Sequence, residues 1–280
     1  MNILITGAHG FLGKHFKEYF SKKYTVYATG REDLNVTSPR KVSQFFIENE
    51  VDVVLHTAIQ GGKRTDRDTT ESLYDNLQMY HNLKAHSDKY RLMINFGSGA
   101  EFDRGKEISA LDEREVLNRW PKDVYGLAKN IITKDILEHN GNIVNLRLFG
   151  CFGSHEADTR LIKKNIQNAA LGKPIEIHKD KVMDFFWVED LCVLIDHIIS
   201  AEDFHMKDIN VCYEKKNTLV EIGNIIKSLT NSTSSVILKE RGMGLSYTGA
   251  HDKLASLGLN FQGLTPALQK MYKETLVGKE

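Results

Sequence analysis

Short apolar runs alternate with segments of helical periodicity along the first half of the chain. The apolar runs, each the length of a strand, cover residues 2–6, 24–28, 51–56, 92–96 and 143–149. The helical patterns cover residues 11–22, 39–49, 71–89 and 123–138. Such alternation is typical of a parallel sheet covered by helices on both faces. The pattern therefore predicts an α/β fold built on a doubly wound parallel sheet of the Rossmann type.

The pattern becomes less regular after Gly150. Helices are predicted at residues 160–171, 188–200, 219–229 and near 265–275, and strands at 175–177 and 209–212. The tail after Asn231 is mixed in character. The second half thus predicts a smaller, mixed α/β region.

Composition excludes several classes of function. The 280 residues include 37 basic and 37 acidic side chains, so no net positive charge favours nucleic acid or an anionic membrane surface. All apolar runs are too short to span a bilayer. The three cysteines, Cys151, Cys192 and Cys212, are far apart and lack the spacing of metal ligands. We expect a reduced, cytoplasmic protein without a metal site.

Three glycines follow the first predicted strand. Gly7, Gly10 and Gly13 lie between the apolar run 2–6 and a helical pattern that contains Phe11 and Leu12. A strand, a glycine turn and a helix together can bind a dinucleotide, because the turn brings backbone N–H groups close to a pyrophosphate. The alternative is an ordinary turn that happens to contain three glycines.

A hydroxyl and a Tyr–Lys pair come later in the chain. Ser98 ends a predicted buried strand, and Tyr125 and Lys129 lie four residues apart on a predicted helix. Residues at this spacing share one helix face, and a phenol beside an ammonium can transfer a proton to or from an alcohol oxygen. The alternative is an exposed helix pair together with a turn serine.

With the glycine turn, these residues resemble the extended short-chain dehydrogenase/reductase superfamily, the NAD-dependent epimerase/dehydratase family. Within it, residues 1–190 are most similar to the GDP-fucose synthases, notably over 31–35, 51–55 and 74–79. The resemblance implies that Tyr125 is the general acid/base and that Lys129 holds the nicotinamide ribose and lowers the Tyr125 pKa. Ser98 would orient the substrate oxygen.

The resemblance also implies a set of cofactor-binding residues. They are Gly7, His9, Gly10, Phe11, Leu12, Gly13, Arg31, Thr57, Ala58, Asn76, Tyr125 and Lys129. No acidic residue ends the second strand, and Arg31 aligns with an arginine that contacts NADP in the family, although Glu32 and Asp33 follow it. NADP(H) is therefore favoured, and NAD(H) is possible.

Departures from the family pattern indicate the reaction. The cysteine used in epimerisation is replaced by Ala100, which leaves His155 as one half of that acid/base pair. The Asp–Glu pair of the dehydratases is replaced by Gly99 and Ala100. Simple reduction of the 4-keto group of a nucleotide-linked 6-deoxy sugar remains, with hydride from the nicotinamide and a proton from Tyr125. The alternatives are an epimerase with tightly bound NAD(P) and a catalytically silent, NADP-binding regulatory protein.

The resemblance implies a nucleotide-diphosphate sugar as substrate. Met183 stands where the family carries an arginine that clamps the diphosphate. The candidate substrate residues are Ser98, Gly99, Ala100, Arg160, Lys163 and Trp187, and His155 is a candidate catalytic residue. Trp187 could stack on the base or pack in the interior.

The resemblance further implies two domains and a dimer. A Rossmann domain would comprise residues 1–152 and 181–212, and a substrate lobe residues 153–180 and 213–280. A homodimer is expected through the helices at 71–89 and 123–138, since isologous dimers are the commonest assembly.

Overall fold

The computed structural model describes residues 1–62, 68–138 and 141–277, and these residues form two compact units. The first unit comprises Met1–Gly105, Glu113–Leu148 and Ile195–Asn210. The second comprises Lys106–Asp112, Phe149–Leu194 and the chain from Val211 onward.

The strands, in chain order, are β1 Asn2–Thr6, β2 Thr25–Thr29, β3 Val53–His56, β4 Leu92–Ser98, β5 Ile108–Leu111, β6 Ile143–Leu148, β7 Cys151–Phe152, β8 Ile175–Asp180, β9 Phe186–Trp187, β10 Asp208–Val211, β11 Val236–Met243 and β12 Tyr247–Gly249. The α-helices are α1 Phe11–Phe20, α2 Pro39–Glu48, α3 Thr70–Lys84, α4 Val124–Glu138, α5 Leu161–Ala170, α6 Val188–Ser200, α7 Leu219–Leu229, α8 Asp252–Ala255 and α9 Leu264–Val277. Two 3₁₀ helices span Gly99–Phe102 and Glu113–Asn118.

The first unit is built on a six-stranded sheet in the order β2-β1-β3-β4-β6-β10. β1 pairs in parallel with β2 on one side and β3 on the other, and the parallel pairing continues through β4 to β6. The chain thus leaves β1 in one direction and later returns to its other side. Such a switch point opens a crevice beyond the carboxyl ends of the two central strands, where α/β folds bind ligands.

Burial explains the strand sequences of this unit. Every residue of β3 and β4 is buried, as expected when helices cover both faces of a parallel sheet. One face packs against α2, α3 and α4 through residues such as Val54, Met93, Tyr80 and Ile136. The predicted doubly wound α/β fold is confirmed.

The second unit has its own apolar core. β8 pairs with β11, β5 with β12 and β7 with β9. Side chains from α5, α7 and α9 surround Phe152 and Trp187 in a continuous cluster. α6 begins in this unit and ends in the first, and residues 149–194 group with the second unit. The resemblance implied instead that residues 1–152 and 181–212 form the Rossmann domain. The grouping reflects the pairing of Phe186 and Trp187 with β7.

Some boundaries differ from the sequence-based ones. α3 ends at Lys84 and not near residue 89, because the chain turns after Ala85. The sequence did not predict β5, β7, β9, β11 and β12. Among the residues that the structure describes, no helix is long and apolar enough to cross a membrane.

Candidate active and cofactor site

The glycine turn lies at the switch point and requires its glycines. Gly7 has a φ of +67°, and a Cβ there would lie 2.7 Å from the Ala58 backbone. A Cβ on Gly13 would lie 2.4 Å from the Gly7 carbonyl oxygen. Neither position accommodates a side chain without a shift of backbone, so the turn can pack directly between β1 and β3.

The turn leaves the N-terminus of α1 available to an anion. Gly10 is the N-cap and provides no side-chain cap, and the first turn contains no acidic residue. Phe11 and Leu12 are partly exposed there. Unpaired N–H groups at a helix N-terminus favour a phosphate. The residues therefore fit the pyrophosphate of a dinucleotide, held by the backbone from Gly10 to Gly13.

Basic side chains gather where β2 ends. Arg31 and His9 are both exposed, and a Cβ on Gly30 would lie 2.6 Å from the His9 ring, so the imidazole rests on this glycine. The Asp33 carboxylate turns back to accept the Gly30 N–H at 2.8 Å. One oxygen of the Asp33 carboxylate is thereby engaged by the backbone of Gly30.

The predicted contacts after β3 lie on the other side of the crevice. Thr57 donates its hydroxyl to the Thr6 carbonyl at 2.6 Å and, like Ala58, is partly exposed. The Asn76 amide is buried, accepts the Gln60 N–H at 2.9 Å and donates to the Gln60 carbonyl at 2.8 Å. Asn76 thus fixes the loop that follows β3.

Ser98 ends β4 and begins a 3₁₀ helix. Its hydroxyl accepts the Ala100 N–H at 3.2 Å, and the Glu101 carboxylate accepts the Ser98 N–H at 2.7 Å, a reciprocal capping arrangement. Ser98 is 8% exposed. Both its backbone and its side chain are therefore held at the carboxyl edge of the sheet.

α4 brings Tyr125 to Ser98. Asp123 accepts the Gly126 N–H at 2.8 Å at the start of the helix. A Cβ on Gly126 would lie 2.6 Å from the Ala100 carbonyl oxygen, so glycine permits α4 to approach the 3₁₀ helix. Asn130 donates to the Glu101 carbonyl at 2.9 Å and fastens the two helices together.

Tyr125 lies partly buried between a glycine and an arginine. It hydrogen-bonds with Ser98. A Cβ on Gly62, whose φ is +75°, would lie 2.7 Å from its ring, and the Arg104 guanidinium lies 5.5 Å from the ring centroid. Burial raises the pKa of Tyr125, and the negative charges of Glu101 and Asp123 reinforce the rise. The Ser98 hydrogen bond and the charge of Arg104 lower the pKa but do not reverse the direction.

Lys129 lies one turn further along α4 and is buried. Its ammonium donates to the Phe96 carbonyl at 2.6 Å, close to the end of β4. Burial lowers the pKa of Lys129 to about 8, against the charge of Glu101, which raises it. Burial dominates the pKa of Tyr125 and raises it, and the charge of Arg104 lowers it. The expectation that Lys129 lowers this pKa stays a prediction.

A glycine turn follows β1, and a Ser–Tyr–Lys group lies at the end of β4, two strands away in the same sheet. The comparison with known protein families agrees with this pattern. Residues 3–212 match the NAD dependent epimerase/dehydratase family. The chain belongs to this family. It is an extended short-chain dehydrogenase/reductase.

Other members of the family act on nucleotide sugars. The chain is 24% identical over 254 residues to the GDP-L-colitose synthase of Yersinia pseudotuberculosis, a match that covers 82% of each chain. It is 25% identical over 221 residues to the GDP-6-deoxy-D-talose 4-dehydrogenase of Aggregatibacter actinomycetemcomitans, which covers 76% of this chain and 74% of that one.

Solved structures share the fold. The GDP-mannoheptose C4 reductase of Campylobacter jejuni with NADP bound superposes with a TM-score of 0.85 at 17% identity and 98% coverage of both chains. The NADP-bound GDP-L-fucose synthetase of Naegleria fowleri gives a TM-score of 0.82 at 16% identity, with 99% of this chain and 93% of that chain covered.

The predicted substrate residues fall in both units. Gly99 and Ala100 are buried in the first unit, beside Ser98. In the second unit, Arg160 donates to the Cys151 carbonyl at 3.1 Å and is half exposed. The Lys163 ammonium donates to two backbone carbonyls and lies 3.0 Å from the Asp158 carboxylate. Its donors are thus already engaged within its own loop.

Two further predictions concern Trp187 and His155. Trp187 is fully buried in the core of the second unit, with its ring 5.1 Å from that of Phe152. Stacking on a nucleotide base is therefore wrong for Trp187, because no face of the indole is exposed. His155 is exposed on the turn between β7 and α5, and a catalytic role for it stays a prediction.

Sequence reasoning missed three residues around Tyr125 and Ser98. The close approach of the Gly62 backbone to the Tyr125 ring cannot be seen in the sequence. Arg104 follows the strand in a segment without periodicity. Glu101 accepts the Ser98 N–H, a role that its residue type alone does not reveal. Its capping position, three residues after Ser98, was the signal that could have revealed this role.

Proposed function

We propose that this protein reduces the 4-keto group of a nucleotide-linked 6-deoxy sugar with NADPH. The observation that carries the proposal is the hydrogen-bonded pair of Ser98 and Tyr125 at the carboxyl edge of β4, one helical turn from Lys129. Reduction of a ketone needs a donor that still holds its proton at neutral pH. Burial favours such a donor, since it raises the pKa of Tyr125.

Each residue of the site has a separate task. The Ser98 hydroxyl orients the ketone oxygen, and the Tyr125 phenol donates a proton to that oxygen. Lys129 is anchored on the Phe96 carbonyl and can donate further hydrogen bonds to the ribose hydroxyls of the cofactor. The backbone from Gly10 to Gly13 holds the pyrophosphate. A bound NADPH supplies the hydride.

The choice of NADPH depends on the end of β2. His9 and Arg31 present two side chains able to bind an anion, and the Asp33 carboxylate is directed at the Gly30 N–H. An arginine at this position suits a 2′-phosphate, whereas an acid would suit a free ribose hydroxyl. The named relatives act on GDP-linked sugars, which makes a GDP-linked ketone the first substrate to test.

Reduction is favoured over epimerisation by the same geometry. Ala100 is fully buried in a 3₁₀ helix and offers no acid or base. Inversion at a carbon beside a ketone needs a second group on the opposite face. An epimerase of this family that works by transient oxidation would retain its NAD and would not consume it.

The experiment first identifies any cofactor that denaturation releases from the purified protein. It then follows NADPH absorbance with 4-keto-6-deoxy sugars linked to GDP, dTDP, CDP and UDP. We expect one NADPH consumed per ketone for one of these substrates. Stoichiometric bound NAD, with conversion of a nucleotide sugar but no net oxidation of NADPH, would instead establish the epimerase. Cofactor binding without any turnover would establish the silent regulatory protein.

A further inference from the structure

A network of buried polar side chains links β4, β6 and β10 in the sheet of the first unit. It begins at Asn95 on β4, which donates to Asn145 on β6 at 2.7 Å. Asn145 donates to Asp208 on β10 at 2.9 Å, and Asp208 accepts from Arg147 at 2.6 Å. All four side chains are at most 1% exposed. The interior of a parallel sheet of this kind is ordinarily apolar. A buried polar network here therefore needs a functional or structural explanation.

The network extends to Ser98 in the candidate active site. Arg147 donates its Nε to one carboxylate oxygen of Glu101 at 2.7 Å, and the other oxygen accepts the Ser98 N–H at 2.7 Å. Glu101 and Arg147 are both completely buried. A Cβ on Gly97 would lie 2.4 Å from the Glu101 carboxylate, so glycine before Ser98 leaves the space that this carboxylate occupies.

Arg147 is held in one orientation by three partners. Its fork also donates to Asn210 at 3.0 Å, and Glu113 accepts the Asn210 N–H at 2.8 Å. A planar guanidinium that binds two carboxylates has little freedom to rotate. Buried ionic groups are costly to desolvate and are a poor source of net stability. Such groups do, however, fix one another in a single geometry, and an active site can use that geometry to position a catalytic residue.

We propose that Glu101, held by Arg147, is a positioning residue that fixes Ser98 against Tyr125 and sets the charge felt by Tyr125 and Lys129. The proposal rests on the proposed reduction for its catalytic meaning. Its structural part, that the Glu101 carboxylate holds the Ser98 backbone, can be tested without any substrate.

The surroundings of Tyr125 and Lys129 support the proposed electrostatic effect of Glu101. The charge of Glu101 raises the pKa of Tyr125 and that of Lys129. Tyr125 also faces Arg104, which lowers its pKa, and Asp123, which raises it. Lys129 lies near His56, whose own pKa it lowers. Loss of the charge on Glu101 should therefore lower the pKa of Tyr125 and move the loss of reduction at high pH to lower pH.

The first test measures hydrogen exchange of the Ser98 amide by mass spectrometry of short peptides. We compare Glu101→Ala and Glu101→Gln with Glu48→Ala, which alters an exposed glutamate on α2. Loss of an intramolecular acceptor should accelerate exchange of Ser98 on the order of tenfold in Glu101→Ala. Glu101→Gln keeps one acceptor oxygen and should accelerate it less, and Glu48→Ala should not change it.

Exchange at wild-type rates in either Glu101 variant, with the native circular dichroism spectrum retained, would overturn the positioning role. If Glu101→Ala does not fold, the exchange rate of the Ser98 amide in Glu101→Gln alone tests the positioning role. Because this readout needs no substrate, failure of the proposed reduction and failure of the positioning role are distinguishable.

The second test is a double-mutant cycle with Ser98→Ala. Displacement of a catalytic group costs on the order of 10- to 100-fold in rate, so kcat should fall by that amount in Glu101→Gln, with KM for NADPH little changed. In a Ser98→Ala background, Glu101→Gln should add little to the loss of kcat but should still shift the pH profile. Fully multiplicative losses of kcat, or an unshifted pH profile, would contradict the proposal.

Discussion

The surroundings of Tyr125 determine how the site can work at the scale of single residues. The ring packs against the Gly62 backbone, and the Arg104 guanidinium also lies close to the ring. The hydroxyl forms a hydrogen bond with Ser98. Burial raises the pKa of the phenol and Arg104 opposes that rise. The phenol is thereby kept as an acid at neutral pH, which suits the donation of a proton to a ketone.

Arg104→Gln should move the pH dependence of reduction in the direction opposite to Glu101→Gln. Reduction needs the protonated phenol and is lost as the pH rises through the pKa of Tyr125. Removal of the Arg104 charge raises that pKa further, so the loss of activity should move to higher pH. The measurement is kcat/KM between pH 6 and the highest pH at which the protein stays folded. Lys106→Gln alters an exposed cation two residues away and is the control. A shift of the Arg104 variant to lower pH would contradict the electrostatic account.

The sequence located the candidate reactive groups better than the residues that hold them in place. Ser98, Tyr125 and Lys129 were identified by order and spacing, and the structure brings them to one strand end. The sequence left Trp187 open between stacking on a base and packing in the interior, because its residue type does not reveal which face is buried; the structure buries it completely. Glu101 and Arg147 are charged residues in what reads as core, and only the three-dimensional partners explain how their charges are satisfied.

At the scale of elements, the glycine turn determines whether a cofactor can approach the sheet. Gly13 lies in the first turn of α1, where a Cβ would meet the Gly7 carbonyl and the Ala8 backbone. The helix can therefore begin directly after the turn, with no side chain capping its first N–H groups. A substitution here acts on packing and on the anion site together.

Gly13→Ala should destabilise the protein by about 1–3 kcal/mol, the usual cost of overpacking a close contact. It should also weaken NADPH binding, because the turn must open to admit the methyl group. Urea unfolding and a fluorescence titration of NADPH measure the two effects. Gly244→Ala is the control, since its Cβ would lie 3.5 Å from the nearest atom, an ordinary contact. Equal NADPH affinity in Gly13→Ala and wild type would contradict the assignment of the turn.

The local pattern of apolar and polar residues predicted the long, regular elements and missed the short or exposed ones. Strands buried on both faces, such as β3 and β4, read as continuous apolar runs. β11 could not be recognised because nearly all of its residues are exposed. β7 and β9 have two residues each, too few for any periodicity. The boundary within α6 likewise depends on pairing far along the chain.

At the scale of the whole molecule, a buried histidine links stability to pH. His56 ends β3, is 4% exposed and bonds with the Thr6 hydroxyl at 2.9 Å. Burial, with the nearby charge of Lys129, lowers the pKa of His56 to about 3. As the pH falls below about 6.5, the unfolded chain takes up a proton that the folded chain excludes, so stability falls.

The free energy of unfolding should therefore drop by about 2 kcal/mol between pH 7.5 and pH 5 on account of His56 alone. Urea unfolding at the two pH values measures the drop. His56→Gln should show a drop smaller by that amount, whereas His205→Gln, a change to an exposed histidine, should behave as wild type. The same drop in His56→Gln as in wild type would show that His56 is not responsible.

The homodimer through α3 and α4 stays a prediction at this scale. Tyr74 on α3 is 64% exposed within the chain, and we expect it to be covered in the dimer. Light scattering should give twice the chain mass of 31.8 kDa, and Tyr74→Glu should shift the protein towards monomer. Ile47→Glu, on the exposed face of α2, is the control. A wild-type monomer at micromolar concentration, or an unaffected Tyr74→Glu dimer, would contradict this interface.

The central claim is that Tyr125 donates the proton in an NADPH-dependent reduction. Tyr125→Phe tests it most directly, because the ring can keep its packing against Gly62 and loses only the hydroxyl. With the nucleotide-linked 4-keto-6-deoxy sugar that wild type reduces, we predict a fall in kcat on the order of 10²- to 10⁴-fold, with NADPH affinity within about twofold of wild type. Wild-type oxidation of NADPH by Tyr125→Phe would contradict the account, and so would a wild-type protein that oxidises no NADPH with any of the four nucleotide-linked ketones.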